Sequence, residues 1–275
     1  MVKYLIYSYY LIKLSGKLFM KNLKISIITV CLNDESTIKK TIDSVSKQTY
    51  KNIEHVIVDG GSTDKTLEII KKYKLVPGML ISEKDKGSSD AAKKALKHVT
   101  GDIVAHLMAD DYYANKNVIE TVINLFNKDF KLVYGNIEYF DHQKNKLTGR
   151  KFVPGEYKKN SYFKGWHAPF PAFFYSKYCI DKFGPLRDDI KISDDFEMMF
   201  RLQELNQQSS AYLNETITYM GTGGRSGKLI NIIIGNFYVI KTLIEHKQKF
   251  FIPLYLYRRL FPKIIDKFYL FFKKI

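Results

Sequence analysis

Apolar positions fall into two alternating rhythms over the first half of the chain. Lys24 to Val30 is a near-continuous apolar run of the kind that forms a buried strand. A helical pattern follows, with Ile38, Ile42 and Val45 on one face and Asn33 or Asp34 available as caps. Asn52 to Val58 reads as a second strand and Lys65 to Tyr73 as a second helix, which Ser62, Thr63 and Asp64 can cap. Met79 to Ser82 is a short third strand. Ser89 to Val99 is a helix whose Ala91, Ala92, Ala95, Leu96 and Val99 share a face, and Asp102 to Met108 is a further buried strand. Strands that alternate with helices in this way predict an α/β fold around a mostly parallel sheet.

Beyond Asp111 the rhythm loosens. Val118 to Phe126 reads as a helix and Lys131 to Phe140 as a strand. Residues 142–165 are polar and read as a loop or hairpin. Trp166 to Phe174 is dense in aromatics and prolines. Tyr175 to Phe183 and Asp194 to Leu205 read as helices, and Gly221 to Gly227 as a glycine-rich turn. Leu229 to Ile244 is apolar but holds Asn231, Asn236 and Lys241, which predicts a packed helix rather than a membrane span. The chain shows no internal repeat.

Composition refines this picture at the two ends. The chain has 275 residues, is 45% hydrophobic and carries a net charge of +16, from 44 basic and 28 acidic residues. An excess of that size implies an acidic partner. From Lys241 onward nine basic residues face only Glu245 and Asp266, among many Phe, Tyr, Leu and Ile. Pro262 can open a last helix, on which Lys263, Asp266, Lys267, Lys273 and Lys274 lie within roughly 120° of the wheel, while most of its apolar residues lie elsewhere. That pattern suits either a helix on an anionic membrane surface or one packed on the domain or a partner chain. Residues 1–19 are apolar and aromatic, with Lys3, Lys13 and Lys17 grouped on one side. They fit an interfacial helix or, equally, an upstream start before Met20. The chain thus divides into an extension at 1–19, a main domain at 20–228 and a basic aromatic tail at 229–275. Cys31 and Cys179, with no metal-ligand spacing, point to a reducing compartment, and Cys31 reads as a buried strand residue.

Candidate chemistry sits after the strands, where open α/β sheets bind ligands. Asp59 ends the second strand and is followed by Gly60, Gly61 and Ser62, a small-residue loop open to a nucleotide or simply a turn. Ser82-Glu-Lys-Asp-Lys-Gly-Ser-Ser-Asp90 is either an ordinary capped loop or a phosphate site at a helix start. Asp110 and Asp111 end an apolar strand, which fits a hard divalent cation or a solvated turn with Asp111 as a cap. Asp194 or Asp195 can cap the helix that follows.

In their order, these pieces resemble a family 2 glycosyltransferase with the GT-A fold, a Rossmann-like nucleotide-binding architecture. The likeness is to members that build bacterial O-antigen, capsule and exopolysaccharide. The matching pieces are Ser26-Ile-Ile-Thr-Val-Cys-Leu-Asn33, Val58-Asp-Gly-Gly-Ser-Thr-Asp64, Asp85-Lys-Gly87 with Asp90-Ala91, Thr100-Gly-Asp102, Ala109-Asp-Asp111, Ser193-Asp-Asp-Phe-Glu197 and Gly223-Gly-Arg-Ser226. The resemblance implies a role for each. Thr29, Asn33 and Glu35 lie by the nucleoside, and Asp59 receives the base with Gly61 and Ser62 around it. Asp85, Lys86, Gly87 and Asp90 hold the nucleotide-sugar together with Asp110 and Asp111. Asp110 matches the last aspartate of the D-x-D metal motif, for Mg²⁺ or Mn²⁺, and Asp195 matches the general base of inverting hexosyltransferases.

Four positions depart from the family pattern. Met108 occupies the first D-x-D position, leaving a metal one carboxylate fewer. Lys93 and Ala95 stand where relatives have Asn and Gly, and Phe170-Pro171 stands for His-Pro, with His167 nearby as a packed loop residue. The resulting expectation is an enzyme that transfers sugar from a UDP-sugar to a polyprenyl-diphosphate-linked saccharide. It would work at the inner face of the plasma membrane, cytoplasmic and peripheral, with an anionic membrane surface and no nucleic acid as partner. The competing readings are a GT-A scaffold without activity, which Met108 favours, and a basic nucleic-acid-binding protein, which the charge favours.

Overall fold

The computed structural model describes residues 21–73, 78–190, 192–223, 229–246 and 252–260. The extension at 1–19, the helix expected from Pro262 and the glycine-rich turn beyond Gly223 lie outside the described residues.

The first half follows the sequence pattern closely. Strands β1 (Ile25–Cys31), β2 (Ile53–Asp59), β3 (Gly78–Ser82) and β4 (Ile103–His106) alternate with helices α1 (Ile38–Ser46), α2 (Thr66–Lys72) and α3 (Ser88–Leu96). The four strands are parallel, in the order β3-β2-β1-β4. β1 and β2 are buried along their whole length, as their mostly apolar sequences favour. The register aligns Cys31 with Asp59 and Asp59 with Ser82. Three strand ends therefore reach one edge together, and the loops beyond them share one cleft.

The second half extends this sheet with mixed polarity. After β5 (Tyr112–Tyr113) and α4 (Val118–Phe126) come β6 (Leu132–Asp141), β7 (Lys146–Phe152) and β8 (Phe173–Ser176), then α5 (Lys177–Phe183). β8 runs antiparallel between β4 and β6, and β9 (Ser210–Gly221) lies parallel to β6 and antiparallel to β5. The polar stretch after 142 forms a hairpin, because β7 pairs antiparallel with β6 as an exposed, lysine-bearing edge.

Three assignments change. Tyr175 and Ser176 belong to a strand, not to the helix that follows, since the aromatic run Phe173-Phe174-Tyr175 is buried between two neighbouring strands. The helix α6 (Asp194–Met199) is α-helical for six residues and continues as a π-helix over Phe200–Leu205. β9 has no counterpart in the sequence reading. Most of its residues are only partly buried, and two register shifts interrupt its pairing with β6, so no clean alternation marks it.

α7 (Leu229–Glu245) is a packed helix, and no described helix is long and apolar enough to cross a membrane. Its Val239 and Leu243, with Tyr255 from α8 (Ile252–Tyr255), join the core that holds Ile28, Val56, Tyr134, Tyr162 and Phe200. The described part of the tail therefore packs as part of the main domain.

Candidate active site

The loops after β1 and β2 are laced together. Asn33, in a left-handed conformation, donates its backbone N–H to Ser62 Oγ at 2.9 Å and accepts the Thr63 N–H at 2.9 Å. Asp34 N–H donates to Thr66 Oγ1, Glu35 N–H to Asp64, and Glu35 Oε2 accepts Lys65 N–H at 2.9 Å. Asn33, Asp34 and Glu35 therefore shape the rim of the cleft instead of capping α1. Asp64 Oδ1 accepts Thr66 N–H at 2.9 Å, at the start of α2.

Asp59 is the hub beneath this rim. It is fully buried, accepts the Ser62 amide at 3.2 Å and the Gly61 amide at 3.3 Å, and accepts Ser82 Oγ–H at 2.8 Å. Thr29 lies elsewhere. It is buried inside β1 with its hydroxyl on His55 Nε2 at 2.9 Å, two residues below the strand end, so it lines the sheet interior and not the cleft.

Asp85 sits directly over the backbone of Gly60, where a Cβ would collide with its carboxylate. Its Oδ1 accepts Gly87 N–H at 2.7 Å, and Asp90 accepts Lys86 N–H at 3.0 Å, which holds the Asp90 carboxyl below its usual range. The Lys86 side chain is exposed. Ser89, the second residue of α3, hydrogen-bonds Asp194. That contact ties the loop bearing Asp85 to the start of α6, where Asp195 accepts Phe196 N–H at 2.8 Å.

The adjacent aspartates after β4 have different surroundings. Asp110 is half-buried, its side chain packs against Gly221, and a Cβ there would lie 2.6 Å from its Oδ2. Its carbonyl accepts the His142 Nε2–H at 2.7 Å. Asp111 is 1% exposed. One oxygen accepts Gly221 N–H at 2.9 Å, and the other is buried with no partner. Burial first, and the Asp110 charge second, push its carboxyl well up. Asp111 is therefore neither a cap nor a ligand contact, but a buried tie between β9 and the Asp110 turn. Thr41 Oγ1 secures the same turn from α1, at 2.9 Å from the Ala109 carbonyl and 2.7 Å from that of Asp111.

Asp34 joins this group. Burial raises its pKa, with the charges of Asp110, Asp64 and Asp59 adding to the effect. The cleft is thus acidic on a basic protein. Sequence reading assigned Asp34 only a cap, placed Gly60, Ser82 and Ser89 in loops and Gly221 in a turn without these contacts, and passed over Thr41 and His142. Thr41 had a visible signal, a hydroxyl on the apolar face of α1; Ser82 needed the β2–β3 register. His142 had no signal in the pattern.

Among the described residues, no group of three or more His, Cys, Asp or Glu is placed to hold a metal ion alone. Met108 offers no carboxylate, and the buried Asp111 offers none outward. Of the motif residues, Asp110 alone could offer a carboxylate to a hard cation. His167 packs on Phe152 and Phe196 with Nδ1 on the Ala168 carbonyl, a packed loop residue as expected.

The chain was compared with known proteins. The family model described as glycosyl transferase family 2 matches residues 26–183, more than half of the chain. Two Escherichia coli proteins, WfgD and WfaP, are named UDP-Glc:alpha-D-GlcNAc-diphosphoundecaprenol beta-1,3-glucosyltransferases. WfgD is 30% identical over 53% of this chain and 57% of its own length. WfaP is 34% identical over 48% and 52%. The matched stretch thus spans little more than half of either relative. Among solved structures, Staphylococcus aureus TarS 1-349 in complex with UDP-GlcNAc superposes with a TM-score of 0.67 at 19% identity, over 86% of this chain and 72% of that one. The Pyrobaculum calidifontis mannosyltransferase PcManGT, in complex with GDP-Man and Mn²⁺, gives 0.57 at 15% identity, over 86% and 74%. These likenesses establish the GT-A fold.

Proposed function

The chain belongs to glycosyl transferase family 2, and from that premise we propose that it transfers a sugar from a UDP-sugar to a saccharide carried on a polyprenyl diphosphate, with inversion. The observation that carries this reading is the tie between Ser89 and Asp194. It joins the loop of Asp85 and Asp90, on the nucleotide side, to the helix start of Asp195. The UDP-glucose donor and diphosphoundecaprenol-linked acceptor in the names of WfgD and WfaP support the substrate classes.

In this reading the laced loops take the nucleoside, held in shape from beneath by the buried Asp59 and not by direct contact with it, while Asp85 and Asp90 orient the sugar. An acceptor hydroxyl is a poor nucleophile, so Asp195 takes its proton as the oxygen attacks the anomeric carbon. The bond from that carbon to the diphosphate oxygen breaks on the opposite side, and the configuration inverts. Asp110 would hold Mg²⁺ or Mn²⁺, which supplies positive charge for the leaving diphosphate. The acidic cleft supports that assignment, because a diphosphate entering beside Asp34, Asp59 and Asp110 needs a counter-charge. Such an acceptor places the enzyme at the cytoplasmic face of the membrane.

A screen of UDP-Glc, UDP-Gal, UDP-GlcNAc and UDP-GalNAc on a polyprenyl-diphosphate-linked GlcNAc acceptor tests the reading. One donor should turn over, and the product should show a β linkage by NMR. UDP binding without turnover of any donor would instead favour the scaffold reading, for which Met108 is the specific observation.

A further inference from the structure

α7 is two-faced. Gly235, Asn236, Val239, Thr242 and Leu243 are buried on one side. On the other, Ile230, Ile233, Phe237 and Ile244 are exposed, with Phe237 63% open to solvent. At about 100° per residue these four lie within roughly 60° of the wheel, opposite the buried residues. A continuous stripe of large apolar side chains facing water marks an interaction surface.

The inner face of the same helix supports the catalytic loop. A Cβ on Gly235 would lie 2.8 Å from Ser193 Oγ. Ser193 itself holds a left-handed backbone, φ 67°, immediately before Asp194 and Asp195. Ion pairs fix the end of the helix: Lys241 to Asp189 at 2.9 Å, and Arg187 to Glu245 at 2.8 Å and to Asp189 at 2.7 Å. Tyr255 Oη donates to Asn236 at 2.6 Å, anchoring the turn in which Tyr257 and Arg258 are exposed.

We propose that the exposed stripe of α7 docks on an anionic lipid bilayer and so holds the Ser193–Asp195 loop at the bilayer surface. Charge selects this occupant. The segment from Lys241 onward carries nine basic residues against two acidic ones, which anionic headgroups attract. A second copy of the chain would carry the same net charge of +16, which opposes its approach. The apolar stripe then enters the boundary between headgroups and acyl chains, as on other interfacial helices. The proposal deepens the reading of a lipid-linked acceptor and rests on it for the meaning of the pose. It explains how a hydroxyl tethered to the membrane by a polyprenyl diphosphate meets Asp195.

Flotation of the full chain with vesicles tests it, using phosphatidylglycerol–phosphatidylcholine mixtures and phosphatidylcholine alone. The wild type should bind the anionic vesicles and lose binding as salt rises. The Ile233→Ser/Phe237→Ser variant should bind at least ~10-fold more weakly, given the apolar area removed, with unchanged far-ultraviolet circular dichroism. Leu147→Ser, on the exposed β7 edge, should bind like the wild type. The proposal is overturned if the wild type does not float, or if the double variant floats as well as the wild type. It is also overturned if the stripe variant turns a dimer into a monomer without changing vesicle binding. UDP binding, measured separately by calorimetry, keeps a failed donor reading distinct from a failed surface.

Discussion

At the scale of single residues, two neighbouring aspartates do different work. Asp110 is half-buried and Asp111 is sealed, its carboxyl pushed well up by burial. Asp110→Asn should lower kcat/KM on the order of 100-fold, through lost charge stabilisation of the leaving diphosphate. Asp111→Asn can still accept Gly221 N–H and should leave kcat/KM near wild type; steady-state kinetics of both variants separates the roles. Gly221→Ala puts a methyl 2.6 Å from the Asp110 carboxylate. It should shift kinetics in the Asp110→Asn direction at a stability cost of about 1–3 kcal/mol. Motif order marked Asp110 in the sequence. The difference between it and Asp111 was not legible there, because it depends on Gly221, which arrives from a strand more than a hundred residues later. His55 gives a pH test. Burial holds its imidazole down at about 4, against an ordinary value of 6.5. The unfolded chain therefore takes up a proton between those values that the native chain refuses. Stability is full above about pH 6.5 and falls as pH drops toward about 4, by at most about 1.4 kcal/mol per pH unit from this group. Thermal midpoints from pH 7 to 4.5 should show a shallower fall for His55→Gln than for the wild type.

Elements differ in how openly the chain announces them. β1, β2, α1 and α4 follow from apolar runs and helical spacing alone, since each buries a whole strand or one continuous face. β8 was hidden inside an aromatic stretch that also fits a helix start, and β9 inside a strand with broken register. Their pairings are long-range, and local pattern carries little of that information. The π-helical stretch after α6 has a firm anchor. Arg201 pairs with Glu197 at 2.9 Å and donates to the carbonyls of Phe183, Gly184 and Pro185. Arg201→Ala would strand a buried Glu197 carboxylate and should cost about 3 kcal/mol, read as a lower midpoint in urea unfolding. Arg201→Lys keeps the charge but not the planar fork, and should recover only part of the loss.

At the scale of the whole molecule, an acidic cleft sits in a strongly basic protein. The sequence reading took the net charge as a clue to the partner and treated residues 229–275 as a tail. The described part of that segment contributes to the central core, so ending the chain at residue 228 should not release a stable domain. Loss of Val239, Leu243 and Tyr255 from the core should remove roughly 5 kcal/mol, seen as insolubility or a collapsed thermal midpoint. The order of the motifs made the fold class legible. The joining of the Asp85 loop to Asp195 was not, because it runs through the contact of Ser89 with Asp194 across more than a hundred residues. The central claim is that Asp195 serves as the base of a sugar transfer from UDP. It is tested most directly by measuring kcat and the UDP dissociation constant together in Asp195→Asn. Turnover should fall by ~10³-fold or more, with UDP binding unchanged. Transfer at the wild-type rate would contradict the assignment.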